Sequence, residues 1–109
     1  IIGKGQNYAE LKKYIFKNKI HNQVKLLGYK KNPFQYIKQS DIFLLSSRYE
    51  GSPNVLVEAL FLKKHIISTN CPTGPKEILK NGKLGKIFSV GNYKMLSKLL
   101  LNYKKGRQF

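Results

Sequence analysis

The residues best suited to chemistry lie between Ser46 and Glu58, S-S-R-Y-E-G-S-P-N-V-L-V-E. Seven residues separate Glu50 from Glu58, and between them runs Gly51-Ser52-Pro53-Asn54. An ionised carboxylate only accepts hydrogen bonds, and its two oxygens suit the neighbouring hydroxyls of a sugar. A glycine turn that opens a helix suits a phosphate. The helix start offers unpaired backbone N–H groups and about half a positive charge. Gly51 has no Cβ, so a ligand can come close to the backbone there. The pattern therefore describes a place for a phosphate carried on a polyhydroxylated group, held by the amides of roughly Ser52 to Val55. The same residues also fit an ordinary helix start capped by Ser52.

The predicted elements place these residues. Asp41 to Leu45 reads as a strand running straight into the turn, and Pro53 to Lys63 reads as a helix with Pro at its first position. Glu58 then stands about 8 Å along the helix axis from Pro53. It is flanked by Val57, Ala59 and Leu60 in a chain with only five acids, which argues against a merely solvated face. Elsewhere, helical spacing marks Tyr8 to Asn18, Pro33 to Gln39, Pro75 to Lys80 (capped by Thr73 or Gly74) and Asn92 to Tyr103. Strands are predicted at Ile1-Ile2, Val24 to Leu27, His65 to Ser68 and Gly85 to Ser89. The alternation implies an α/β fold, a Rossmann-like parallel sheet with flanking helices. Such sheets bind ligands outside the carboxyl ends of their strands, where the turn at Ser46 to Pro53 falls.

Length predicts one domain, with apolar residues at 41% in short runs, as in a globular chain. No apolar run approaches the ~20 residues of a membrane span. The chain opens on I-I-G-K-G, which resembles no signal peptide and looks like the end of a strand; we expect a piece of a longer protein. Net charge is +16, which favours polyanions. The 21 basic residues are nearly all Lys and are scattered, unlike the clustered Arg of base-reading modules, so a solvated surface is expected and nucleic acid is not. A single Cys71 excludes an internal disulfide and reads as a packing residue. His21 and His65 read as a loop residue and a strand-start residue, and no transition-metal set is visible. Arg48 has two readings, a phosphate contact or a partner for Asp41. The aromatics read mostly as core.

The strings D-I-F-L-L-S-S-R-Y-E-G-S-P-N-V-L-V-E-A-L and I-I-S-T-N-C-P-T-G-P-K-E-I-L resemble glycosyltransferase family 4, a group of retaining GT-B transferases that use nucleotide-sugar donors. The resemblance runs from I-I-G-K-G through G-K-I-F-S-V-G. It implies that residues 1–109 are part of the C-terminal, donor-binding domain, truncated at its N-terminal side. It implies that Glu58 accepts hydrogen bonds from the donor ribose. Glu50 would orient the donor sugar and stabilise positive charge at the anomeric carbon, as the catalytic carboxylate. Gly51, Ser52, Pro53, Asn54 and Val55 would approach sugar and diphosphate. Gly28 and Tyr29 would meet the base, and Thr73 and Gly74 would form a second turn at the cleft rim.

The resemblance further implies a nucleotide-sugar donor, UDP in first place, and no metal or other cofactor, in keeping with the lack of an Asp-x-Asp motif. The acceptor would be a glycan or a lipid-linked glycan, bound through an N-terminal domain that this chain lacks. Relatives carry an Arg and a Lys upstream of I-I-G-K-G to neutralise the diphosphate. These residues alone are therefore expected to be inactive, since stabilising developing charge is usually the largest catalytic term. The implied location is the cytoplasm, with the lysine-rich surface making peripheral contact with anionic lipid at the inner face of the plasma membrane. Two alternatives stand beside this one. Nucleotide-sugar epimerases share the architecture but carry a glycine-histidine signature absent here. A non-enzymatic polyanion or membrane-surface binder would follow from charge alone. Gly3-Lys4-Gly5 lacks the full G-x-G-x-x-G spacing and reads as a tight turn.

Overall fold

The computed structural model describes residues 1–3, 5–48, 54–72 and 74–103. The chain forms two compact units, Ile1–Pro33 and Phe34–Phe109. In the first, helix α1 spans Tyr8–Lys17 and buries only Ile15. It closes through Lys19, whose left-handed backbone (φ 56°) lets the N–H groups of Lys19 and Ile20 reach the carbonyls of Phe16 and Ile15. The strands predicted at Ile1-Ile2 and Val24 to Leu27 are reduced to one isolated parallel bridge, Ile2 to Gly28. Leu27 N–H donates to Ile1 O and Gly3 N–H to Gly28 O, both at 2.8 Å. Among the described residues the Val24 segment pairs only with this short stretch, and the left-handed Gly28 (φ 72°) turns the chain away.

The second unit carries the sheet. Three strands, β1 (Ile42–Leu45), β2 (His65–Thr69) and β3 (Lys86–Phe88), lie parallel in the order β1-β2-β3. Ile42 pairs with His65 and Ile67 with Lys86, which fixes both registers. The central position of β2 explains its sequence. Its last four residues are buried, as expected of a strand covered on both faces. Helix α2 (Phe34–Gln39) precedes β1, α3 (Asn54–Phe61) joins β1 to β2, α4 (Pro75–Ile78) joins β2 to β3, and α5 (Tyr93–Asn102) follows. This is the α/β parallel-sheet fold read from the sequence.

The core gathers Ile37, Leu45, Leu56, Ala59, Ile66 and Leu79 from α2, β1, α3, β2 and the end of α4. Each fully buried Leu or Ile contributes about 1.5–3 kcal/mol relative to exposure. Gly85 lets β3 lie close to β2, because a Cβ there would meet Ile66 Cβ and O at 3.0 Å. The aromatics do not fill the core as expected. Phe88 is buried, but Tyr14, Phe16, Tyr29, Phe61 and Tyr93 are exposed. Tyr14, Phe16, Phe61 and Tyr93 sit in helices, and nothing in a helical spacing says which positions are covered. Likewise α5 buries no residue, although Leu96 and Leu99 are part-covered. Its start is held by Asn92, whose Oδ1 accepts from Met95 N–H at 3.1 Å.

Candidate functional site

Helix α3 leaves the carboxyl side of β1 and carries Glu58 in its second turn. The helix is apolar because it packs on the sheet, with Leu56 and Ala59 fully buried. Glu58 shares a side with Val55 three residues before it and Leu62 four after, both packed against the core. Placed there, its Oε2 is buried and has no hydrogen-bond partner among the described residues. A buried carboxylate oxygen without a donor is costly and rare in folded proteins. It is the group on α3 best placed to accept hydroxyl donors from a ligand.

Of the other residues read from the sequence, Asn54 is exposed at the start of α3 and Val55 is half-buried behind it. Glu50, Gly51, Ser52 and Pro53 lie outside the described residues, and so does Thr73. Gly74 caps α4 with φ 124°, and its N–H donates to Glu77 Oε2 at 3.1 Å, so that amide is engaged within the chain. Gly28 and Tyr29 lie in the first unit. Gly28 lines a cavity of about 640 Å³ with Gly5, Tyr8, Leu26 and Leu27. Tyr29 beside it is 68% exposed.

Three hydrogen bonds that the sequence did not announce tie the strand ends together. Thr69 Oγ1 donates to Ser47 O at 2.7 Å, Asn70 N–H to Phe88 O at 3.0 Å, and Val90 N–H to Asn70 Oδ1 at 3.3 Å. They brace the start of the turn after β1 against β2 and β3. A cavity of about 280 Å³ opens at this edge, lined by Ser46, Arg48, Thr69, Phe88, Gly91 and Tyr93 among others. Arg48 thus faces the carboxyl edge. Asp41 precedes the other end of β1, a strand of four residues or about 13 Å. The polar pair Thr69-Asn70 directly after an apolar strand was the available signal for these braces. No three His, Cys, Asp or Glu side chains gather into a metal-holding group among the described residues.

A parallel sheet flanked by helices is the architecture of the GT-B glycosyltransferases to which the structure compares. The family model "Glycosyl transferases group 1" matches residues 1–108, and the chain belongs to that family. It is 48% identical over 79 residues to an uncharacterized glycosyltransferase of Methanocaldococcus jannaschii, covering 72% of this chain and 20% of that protein. Among solved structures it is similar to the apo form of the lipopolysaccharide outer core galactosyltransferase WaaB, with TM-score 0.73, 28% identity, and 92% of this chain against 29% of that one. The Anabaena protein Alr3699/HepE in complex with UDP has the same fold, with TM-score 0.78, 24% identity and coverage of 92% and 29%. The chain therefore spans between a fifth and a third of the length of these proteins.

Proposed function

We propose that this chain supplies the donor-binding part of a retaining glycosyltransferase of family 4, which takes a UDP-sugar and transfers the sugar to a glycan or lipid-linked acceptor in polysaccharide or lipopolysaccharide synthesis. The observation that carries this is the buried Oε2 of Glu58, without a hydrogen-bond partner among the described residues, on the helix that leaves the carboxyl edge of the sheet. A ribose offers two adjacent hydroxyl donors, and a carboxylate answers both. The amides at Asn54 and Val55, with Gly51 to Pro53 before them, hold the diphosphate. Glu50 orients the donor sugar and stabilises positive charge at the anomeric carbon. Gly28 and Tyr29 receive the base. UDP is chosen first because a protein of the same fold is solved with UDP. A galactosyltransferase of the lipopolysaccharide outer core among the similar structures supports the acceptor class.

In this scheme the chemistry needs no metal, and the residues of this chain bind and orient the donor. Acceptor choice and the remaining diphosphate neutralisation belong to parts of the protein outside this sequence, so these residues alone are inactive and bind donor only weakly. The work takes place on the cytoplasmic side of the membrane. No helix among the described residues is long and apolar enough to cross a bilayer.

The test is a titration of the chain with UDP, GDP and ADP followed by amide chemical shifts. Saturable shifts confined to Gly51–Glu58 and to Gly28-Tyr29 are expected for UDP, with smaller shifts for GDP and ADP. Shifts of equal size for all three, spread over the lysines and abolished by salt, would overturn the assignment and leave net charge as the ligand signal.

A further inference from the structure

The amino edge of the sheet, opposite the turn after β1, carries a second feature. A cavity of about 320 Å³ opens at the amino ends of β2 and β3, walled by Lys63, Lys64, Lys83 and Lys86 over an apolar floor that includes Leu60 and Leu84. Among the described residues no carboxylate lines it. Asp41 stands on the same edge, at the start of β1, but is not part of the wall.

The backbone sets these lysines in place. Lys63 closes α3 in the left-handed conformation (φ 57°), where glycine is usual. Its N–H reaches Leu60 O at 2.9 Å and that of Lys64 reaches Ala59 O at 3.1 Å, which turns the chain sharply and delivers two lysines to the pocket. Lys64 is held further by its Nζ, which donates to Lys38 O at 2.7 Å. The facing wall is a knot after α4. Gly82 N–H and Leu84 N–H both donate to Leu79 O, at 3.2 and 3.0 Å, and Gly85 is pressed against Ile66. Lys63 and Lys83, both exposed, bring like charges to one cavity from its two walls, and an anion relieves that repulsion. Lysine binds phosphate as a point charge and needs no fixed fork geometry. The volume falls at the small end of ligand pockets and has room for a phosphoryl or diphosphoryl group.

We infer that this pocket is an anion site for a phosphoryl group, carried on a lipid headgroup or free in solution, and separate from the donor site. It stands whether or not the donor assignment does.

The test compares two triple variants of the 109-residue chain, each losing three charges. One is Lys63→Gln, Lys83→Gln, Lys86→Gln in the pocket. The other is Lys12→Gln, Lys13→Gln, Lys17→Gln on α1. Two probes are used at physiological salt: inorganic pyrophosphate by calorimetry, and vesicles of phosphatidylglycerol and phosphatidylcholine by co-flotation. The unsubstituted chain is expected to bind at least one probe. The pocket variant should weaken that binding by about fivefold per lysine, about a hundredfold in all, while the α1 variant changes it by less than about fivefold. Vesicle binding without pyrophosphate binding assigns the lipid headgroup, and pyrophosphate binding without vesicle binding assigns the free anion. Equal losses in the two variants, or binding of neither probe, overturns the inference. Should the pocket variant not fold, the unsubstituted chain decides by amide shifts: those at Lys63-Lys64 and Gly82–Lys86 must move with the bound probe, and shifts confined elsewhere overturn the site.

Discussion

Glu58→Met separates what holds the fold from what binds the ligand. Methionine has about the length of glutamate and fits between Val55 and Leu62 without a polar atom. In the free chain the buried Oε2 has no partner among the described residues. An unsatisfied buried acceptor costs about 1–3 kcal/mol, and more when charged. Glu58 is only half-buried, so the lower half of that range applies and the substitution should stabilise the chain by about 1–2 kcal/mol. For a domain of this size each kcal/mol moves Tm by roughly 4–8 °C, so a rise of about 4–16 °C is expected in a thermal melt followed by circular dichroism. Nucleotide binding moves the other way. Two hydrogen bonds to a charged acceptor are lost, worth about 1.5–3 kcal/mol each, so the Kd for UDP should rise by at least about a hundredfold in calorimetry. Glu58→Gln should lose affinity in the same sense while gaining less stability, because it keeps a buried polar atom. A lower Tm for Glu58→Met would refute the reasoning. It would show that the carboxylate is satisfied inside the free chain and is not held ready for a ligand.

Two further outcomes test the frame that presents the site. Gly85→Ala should destabilise the chain by about 1–3 kcal/mol in urea unfolding, because the new Cβ meets Ile66 Cβ and backbone O at 3.0 Å and β3 must shift; an unchanged midpoint would mean that β3 does not approach β2 so closely. Thr69→Val keeps the shape but removes the 2.7 Å hydrogen bond to Ser47 O, and should cost about 1 kcal/mol and move the amide resonances of Ser47 and Arg48; unaltered resonances would show that this bond does not position the turn.

Much of the frame was legible because the physics behind it is local. His65 to Ser68 reads as a strand, and it forms most of the central strand β2. The helical spacing of Asn92 to Tyr103 reads as a helix, and α5 forms there with the Asn92 side chain capping its start. What failed depended on distant partners. Val24 to Leu27 has a strand's composition, but among the described residues only the Ile1 stretch pairs with it. Phe61 and Leu101 sit at helical spacing yet are 79% and 81% exposed, because spacing does not reveal what covers a face. At the site, the oddity of an acid in the apolar helix α3 was visible in the sequence. That its Oε2 is an orphan was not, since this depends on which donors the fold brings near. The lysines read as a scattered, solvated set. Lys63 and Lys83 are twenty residues apart, and only the parallel register of β2 and β3 sets them around one cavity.

That gathering follows from the polarity of a parallel sheet. All strands start at one edge and end at the other. Residues just before β2 and β3, Lys63-Lys64 and Lys83, must collect at the amino edge. Residues just after the strands, Ser46 to Arg48, Thr69-Asn70 and Gly91, must collect at the carboxyl edge. An antiparallel sheet would have interleaved the two sets. The edges are separated by the length of β2, five residues or about 17 Å, which is about twice the ~8 Å screening length at physiological salt. Charge in the lysine pocket therefore reaches the far ends of the strands only weakly. Glu58 is nearer: α3 carries it in its second turn and closes at Lys63, five residues or about 7.5 Å of helix axis further on. An anion at Lys63 thus lies within one screening length of the carboxylate, and α3 itself is a second, mechanical link between the two.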